Sequence, residues 1–220
     1  MIKIAPSFLS ADFGNLEADV RRVEAGGADL IHLDVMDGHF VPNLTFGPLV
    51  VEAIRRRTKL PLDVHLMISD PARYAVDFLE AGADILTLHY EIAGDVSETI
   101  EKIRRRGKIA GISIKPATPP NVLFPLLPQI GLALVMSVEP GFGGQPFMCA
   151  ALEKIETLER EINRTGVHTE IEVDGGIGLP NAREVARAGA DILVAGSSIF
   201  KGGQVEAGIR ALREAACREK

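Results

Sequence analysis

Two side chains, His32 and Asp34, carry the first hint of chemistry in this chain. They belong to His32-Leu33-Asp34-Val35-Met36-Asp37-Gly38-His39-Phe40-Val41-Pro42-Asn43, which follows the apolar run from Ala28 to Leu33 and reads as the carboxyl end of a buried strand entering a loop. Successive strand side chains face opposite ways, so His32, Asp34 and Met36 share one face. An imidazole and a carboxylate on one face suit a divalent metal ion. As an isolated pair they equally suit a core histidine beside a capping aspartate, so partners from elsewhere in the chain must decide.

The elements that would position such partners alternate regularly. Strands are expected near Lys3–Pro6, through the His32 motif, and at Leu62–Met67, Ile85–His89, Ala110–Ile114, Leu132–Ser137, Glu170–Val173 and Ile192–Ala195. Helical spacing predicts helices near residues 15–25, 48–57, 96–106, 150–163, 180–188 and 205–217, a short one near 121–127, and one starting at Asp70-Pro71, an N-cap followed by proline. Eight strand–helix units in 220 residues predict a parallel sheet closed into a (β/α)8 TIM barrel, one domain over residues 1–220. An internal repeat agrees: Ala25-Gly26-Gly27-Ala28-Asp29, Ala81-Gly82-Ala83-Asp84 and Ala188-Gly189-Ala190-Asp191 each join a helix end to an even-numbered strand, with glycine where a left-handed cap is needed. An open dinucleotide-binding sheet would want a glycine-rich turn after the first strand, and Pro6-Ser7-Phe8-Leu9 is not one.

A barrel puts its chemistry at the carboxyl ends of its strands. Those ends carry Ser7, His32, Asp34, Met36, His65, Met67, His89, Lys115, Met136, Glu139 and Asp174. His65 and Met67 repeat the two-residue spacing of the first motif on the neighbouring strand, and Asp174 arrives from strand seven across the mouth. Two imidazoles and two carboxylates make a nitrogen and oxygen donor set open to Zn²⁺, Fe²⁺, Mn²⁺ or Co²⁺. Glycines gather at three further strand ends, in Pro140-Gly141-Phe142-Gly143-Gly144-Gln145, Gly175-Gly176-Ile177 and Gly196-Ser197-Ser198. With a short helical turn at Ser197 to Phe200, they read as a backbone cradle for a phosphate, and Gly141 to Gly144 read as the hinge of a lid.

Composition narrows the partners. The formal charge is −6, and no basic run exceeds Arg55-Arg56-Arg57 or Arg104-Arg105-Arg106, both inside helical patterns, so no nucleic-acid footprint is expected. Cys149 and Cys217 form neither a disulfide framework nor a metal motif, and read as packing residues in a reducing compartment, the cytoplasm. No basic-then-apolar leader opens the sequence, and the uncharged stretch from Pro116 to Val138 carries too much proline for a membrane helix.

Ser7-Phe8-Leu9-Ser10-Ala11-Asp12, His32 through Asn43, His65-Leu66-Met67, Pro140 through Gln145, Val173-Asp174-Gly175-Gly176-Ile177 and Gly196-Ser197 together resemble the ribulose-phosphate 3-epimerase family along essentially the whole chain. The resemblance implies one divalent metal ion held by His32, Asp34, His65 and Asp174, with Asp34 as proton acceptor and Asp174 as proton donor. It implies substrate contacts from Ser7, His65, Gly141, Phe142, Gly143, Gly144, Asp174, Gly175, Gly176, Gly196 and Ser197, and a lining of Met36, Met67 and Met136 beside the reacting carbons. A sugar phosphate would be the partner, with neither nucleic acid nor membrane involved, and the chain would assemble as a homo-oligomer. The implied reaction interconverts D-ribulose 5-phosphate and D-xylulose 5-phosphate through an enediolate. Pro146 after Gln145 also resembles the six-carbon allulose-6-phosphate 3-epimerases. Two further alternatives remain: a Schiff-base lyase using Lys115, and a non-catalytic sugar-phosphate binding barrel.

Overall fold

A computed structural model describes residues 2–92 and 96–217. The strands are β1 (Lys3–Pro6), β2 (Ile31–Met36), β3 (Leu62–Met67), β4 (Ile85–His89), β5 (Ile109–Ile114), β6 (Leu132–Met136), β7 (Glu170–Asp174) and β8 (Ile192–Ala195). All pair in parallel in the order β1-β8-β7-β6-β5-β4-β3-β2, and a bridge between Ser7 and His32 brings the two ends of the sheet together. The result is a nearly closed (β/α)8 TIM barrel.

The helices are α1 (Leu16–Gly26), α2 (Pro48–Arg55), α3 (Pro71–Glu80), α4 (Val96–Arg105), α5 (Ala150–Thr165), α6 (Ala182–Ala188), the single turn α7 (Ser197–Phe200) and α8 (Val205–Ala215). Asp70 caps α3 as its sequence predicts, accepting from the Arg73 N–H with Pro71 in the first turn. The connection from β5 to β6 departs from expectation. In place of a helix over 121–127 it makes two 3₁₀ turns, Pro120–Leu123 and Leu127–Gln129. Pro125 and Pro128 cannot donate a backbone hydrogen bond, so no α-helical ladder runs through this segment. The last helix stops at Ala215, short of Cys217, and both Cys149 and Cys217 are exposed, which corrects the expectation that they pack in the core.

Strand alternation divides the interior in two. Ile4, Leu33, Val64, Leu66, Leu88, Ile112, Val135, Val173 and Leu193 belong to the apolar layer shared with the helices. The opposite face fills the lumen. Ala5, Leu30, Ile85, Leu132, Ile192 and Val194 plug its amino end, leaving the polar side chains of β2, β3, β4 and β7 above them.

The repeated aspartates tie this ring together. Asp29 accepts the Ile4 N–H at 2.7 Å, Asp84 the Leu62 N–H at 3.1 Å and Asp191 the Ile171 N–H at 3.0 Å. Each aspartate before an even-numbered strand thus fastens the preceding odd-numbered one. The glycine beside it supplies the positive φ of the turn: +80° at Gly27, +111° at Gly82 and +126° at Gly189.

Candidate active site

Parallel register sets side chains of β2 and β3 beside one another: His32 opposite Asp63, Asp34 opposite His65, and Met36 opposite Met67. Met136 of β6 lies opposite Asp174 of β7. His32, Asp34, His65 and Asp174 consequently offer one ligand atom each within 4.8 Å of one another. His32 Nε2 and His65 Nδ1 each lie 3.3 Å from Asp34 Oδ1, while Ser7 Oγ donates to Asp34 Oδ2 at 2.7 Å. His32 Nε2 is fully buried and has no hydrogen-bond partner. A buried, unpartnered nitrogen set among two carboxylates and a second imidazole is what a divalent ion would satisfy on displacing its proton, so these residues fit a metal.

The two carboxylates differ electrostatically. Burial works against ionisation of Asp34, but the charge of His32 beside it holds its carboxyl far below the usual range. Asp174 is pushed the other way, up to about 7, first by burial and then by the negative charge of Asp34. Burial also lowers His65, and it takes His89 down to about 4. His32 is held well above its ordinary value because Asp34 and Asp63 outweigh the cost of burying its charge.

Above this cluster opens a cavity at the carboxyl mouth of the barrel. Ser7, Asp34, Met36, Met67, Met136, Asp174, Gly175, Gly176, Gly196 and Ser197 line it, with Gly141, Phe142, Gly143 and Gly144 forming one wall. The three methionines are buried, whereas Phe142 stands half exposed on the rim. His32 and His65 do not line the cavity; they reach the cluster from beneath, fully buried. The 141–144 segment is tied down by Asn43 Nδ2 on the Gly141 carbonyl at 2.7 Å, and by Gln145 Nε2 on the carbonyls of Glu139 and Phe142.

The glycines opposite are set by close approach. A Cβ at Gly176, where φ is +64°, would fall 2.4 Å from Phe147 N, and one at Gly196 would fall 2.6 Å from Ser10 Oγ. Asn181 staples the same turn, accepting from Gly178 N–H and donating to the Gly176 carbonyl, both at 2.9 Å. Lys115 is engaged elsewhere, its Nζ 3.8 Å from the centroid of the Phe40 ring and outside the cavity lining.

Several residues here escaped the reading from sequence. Asp63 Oδ2 lies 2.5 Å from His32 Nδ1, and Glu172 Oε1 lies 3.7 Å from the same nitrogen, both fully buried. Each sits two residues before an expected ligand, Asp63 before His65 and Glu172 before Asp174, so strand alternation carried the signal that they enter the same lumen. Glu91 escaped too; it pairs with His89, which the sequence places at a strand end without a role.

A metal-capable cluster beneath a glycine-walled cavity at the carboxyl mouth is the arrangement of a barrel enzyme rather than of a passive scaffold. The profile of the Ribulose-phosphate 3 epimerase family matches residues 3–200. The ribulose-phosphate 3-epimerase of Bacillus subtilis (strain 168) is 51% identical over 201 residues, covering 91% of this chain and 93% of that protein. The chloroplastic ribulose-5-phosphate-3-epimerase of Arabidopsis thaliana is 48% identical, covering 90% of this chain and 72% of that protein. Among solved structures, a tryptophan synthase α-subunit from Pyrococcus furiosus superposes with a TM-score of 0.73 at 15% identity, over 97% of this chain and all of that one, which speaks for the barrel alone. The chain belongs to the ribulose-phosphate 3-epimerase family, and it is an isomerase of the epimerase class.

Proposed function

We propose that the protein is a metal-dependent 3-epimerase interconverting D-ribulose 5-phosphate and D-xylulose 5-phosphate by proton transfer between Asp34 and Asp174. The observation that carries this reading is the meeting of Asp34 from β2 and Asp174 from β7 in one metal-capable cluster that lines the cavity. Inverting the carbon beside a ketone needs a base on one side of a planar enediolate and an acid on the other.

Asp34, ionised and anchored by Ser7, is the base that takes the C3 proton. Asp174, carrying a proton near neutral pH, is the acid that returns one to the opposite face of C3. One turnover leaves Asp34 protonated and Asp174 ionised, and the reverse reaction uses them in exchanged roles. A divalent ion held by His32, Asp34, His65 and Asp174 supplies Lewis-acid stabilisation of the enediolate, and their donor set accommodates Zn²⁺, Fe²⁺, Mn²⁺ or Co²⁺. Met36, Met67 and Met136 confine the planar intermediate with apolar, polarisable surface that offers no competing acid. Gly175, Gly176, Gly196 and Ser197 take the phosphate on backbone brought close by the absence of Cβ.

Turnover in D₂O tests the scheme: deuterium enters at C3 of the product, and chelation abolishes the exchange. Product formed without deuterium at C3 would exclude Asp34 and Asp174 as solvent-exchanging acid and base. Parallel rates on D-ribulose 5-phosphate and D-allulose 6-phosphate decide the chain length of the substrate, the five-carbon sugar being the faster.

A further inference from the structure

A buried chain of hydrogen bonds leads away from the metal-capable cluster on the side of β4. His65 Nε2 meets His89 Nε2 at 2.9 Å, and His89 Nδ1 meets Glu91 Oε2 at 3.1 Å. The two imidazole centroids are 4.9 Å apart with planes 29° from parallel, a separation that fits rings touching nitrogen to nitrogen rather than face on face. Both histidines are fully buried.

Two neutral imidazoles supply one hydrogen each, which serve the 2.9 Å and 3.1 Å contacts and leave the longer 3.3 Å approach of His65 Nδ1 to Asp34 without one, and the far end fixes which atoms carry them. Glu91 Oε1 accepts from the Lys115 N–H at 2.7 Å and from the Thr118 hydroxyl, so Glu91 faces His89 with an acceptor at Oε2. His89 must then donate from Nδ1 and accept at Nε2. His65 in turn donates from Nε2, which leaves its Nδ1 bare and turned toward Asp34. Lys154 fixes the platform behind Glu91, donating to the carbonyls of Lys115, Pro116 and Thr118 at 3.0, 2.6 and 2.6 Å.

We propose that His89 and Glu91 are positioning residues that lock His65 in the tautomer with an unprotonated Nδ1, the only neutral form able to give that nitrogen's lone pair to an ion. The proposal rests on the reading of His32, Asp34, His65 and Asp174 as ligands, and extends it to residues that touch neither ion nor substrate. Outer partners of ligating histidines act this way generally, fixing tautomer and ring orientation.

The same geometry identifies a variant that reverses the chain. In Glu91→Gln the amide oxygen is held at the Oε1 position by Lys115 N–H and Thr118, so the amide NH₂ faces His89 Nδ1. His89 then accepts at Nδ1 and donates from Nε2, and His65 keeps its hydrogen on Nδ1. In His89→Gln the amide oxygen can accept from His65 while the NH₂ donates to Glu91, so the polarity survives. His89→Phe leaves His65 Nε2 without an acceptor.

Two readouts test this. In metal-free protein with ¹⁵N-labelled histidine, the nitrogen shifts of His65 report which nitrogen carries the hydrogen: Nε2 in the parent, Nδ1 in Glu91→Gln. Co²⁺ titration followed by visible absorption gives affinity, which is expected to fall about 10–100-fold in Glu91→Gln and to be weaker in His89→Phe than in His89→Gln. Unchanged His65 shifts with parental Co²⁺ affinity in Glu91→Gln overturn the proposal. If Glu91→Gln does not fold, the two His89 variants decide, and equal affinities refute it. A parent protein that binds Co²⁺ no better than Asp34→Asn would instead defeat the metal reading, while the shifts in the metal-free protein still judge the tautomer lock separately.

Discussion

Gly176 lets the proposed phosphate cradle be tested without touching any titratable group. Its φ of +64° is nearly matched by +69° at Gly166, the left-handed cap of α5 far from the lumen. Alanine at either position is forced into the left-handed region, at a cost of about 1–2 kcal/mol. For a chain of this length that lowers the melting temperature by roughly 2–8 °C in both variants. The surroundings differ. A Cβ at Gly166 meets nothing within 4 Å, whereas one at Gly176 lies 2.4 Å from Phe147 N and 2.8 Å from both Phe147 Cα and Gln145 O. Those are backbone atoms, which cannot swing aside as a side-chain tip can. Restoring ordinary contact, at 3.4 Å or more, requires the 145–147 backbone or the Gly176 turn to retreat by about 1 Å. A displacement of that size at a site that must hold its ligand in register costs on the order of 10²-fold in rate. Gly176→Ala is therefore expected to lose about 10²-fold in kcat/KM, chiefly through KM, with weakened inhibition by inorganic phosphate; Gly166→Ala is expected to lose stability only. Steady-state kinetics beside thermal melts separate the two. Equal kcat/KM for both variants would show that the close approach at Gly176 does not shape the binding site.

Asp34→Asn and Asp174→Asn each remove a proposed proton-transfer group without changing shape, and each is expected to lower kcat about 10²–10⁴-fold and to suppress C3 deuterium exchange; near-normal turnover in either refutes the two-carboxylate scheme. Metal uptake must displace the proton from His32, held well above its usual value, so affinity for Co²⁺ should climb as pH rises through neutrality; a flat profile from isothermal titration contradicts this. Burial, and then the charge of Asp63, raises the Glu172 carboxyl well above its ordinary value. A carboxyl raised in the folded state contributes stability that is whole below the unfolded value of about 4.3 and is lost as pH rises through the folded one. Metal-free Glu172→Gln lacks that part of the loss, so its melting temperature should fall less between pH 5 and 8 than the parent's, Asp174 and the histidines titrating in both; parallel profiles would show that Glu172 does not titrate as described.

The barrel could be read from the sequence because its signals are local. Each apolar strand, each proline or glycine boundary and each repeated Gly-Ala-Asp join declares itself within a few residues, and eight such units admit few topologies. The four ligating candidates were legible for the same reason. His32, Asp34 and His65 sit at strand ends in a two-residue alternation, and Asp174 ends β7 before a glycine pair. The β5–β6 connection misled because a short apolar run looks helical until its prolines are counted against the hydrogen-bond ladder.

What the sequence could not supply was anything set by strand register across the lumen. That Asp63 presses on His32, that Glu172 waits beneath them with both oxygens unpartnered, and that His65, His89 and Glu91 form one polarised chain depends on which residues of separate strands stand opposite each other. The protonation split between Asp34 and Asp174 is of the same kind. A lone aspartate in a sequence has one ordinary pKa, and only burial and the charge of a neighbour from another strand drive two of them apart.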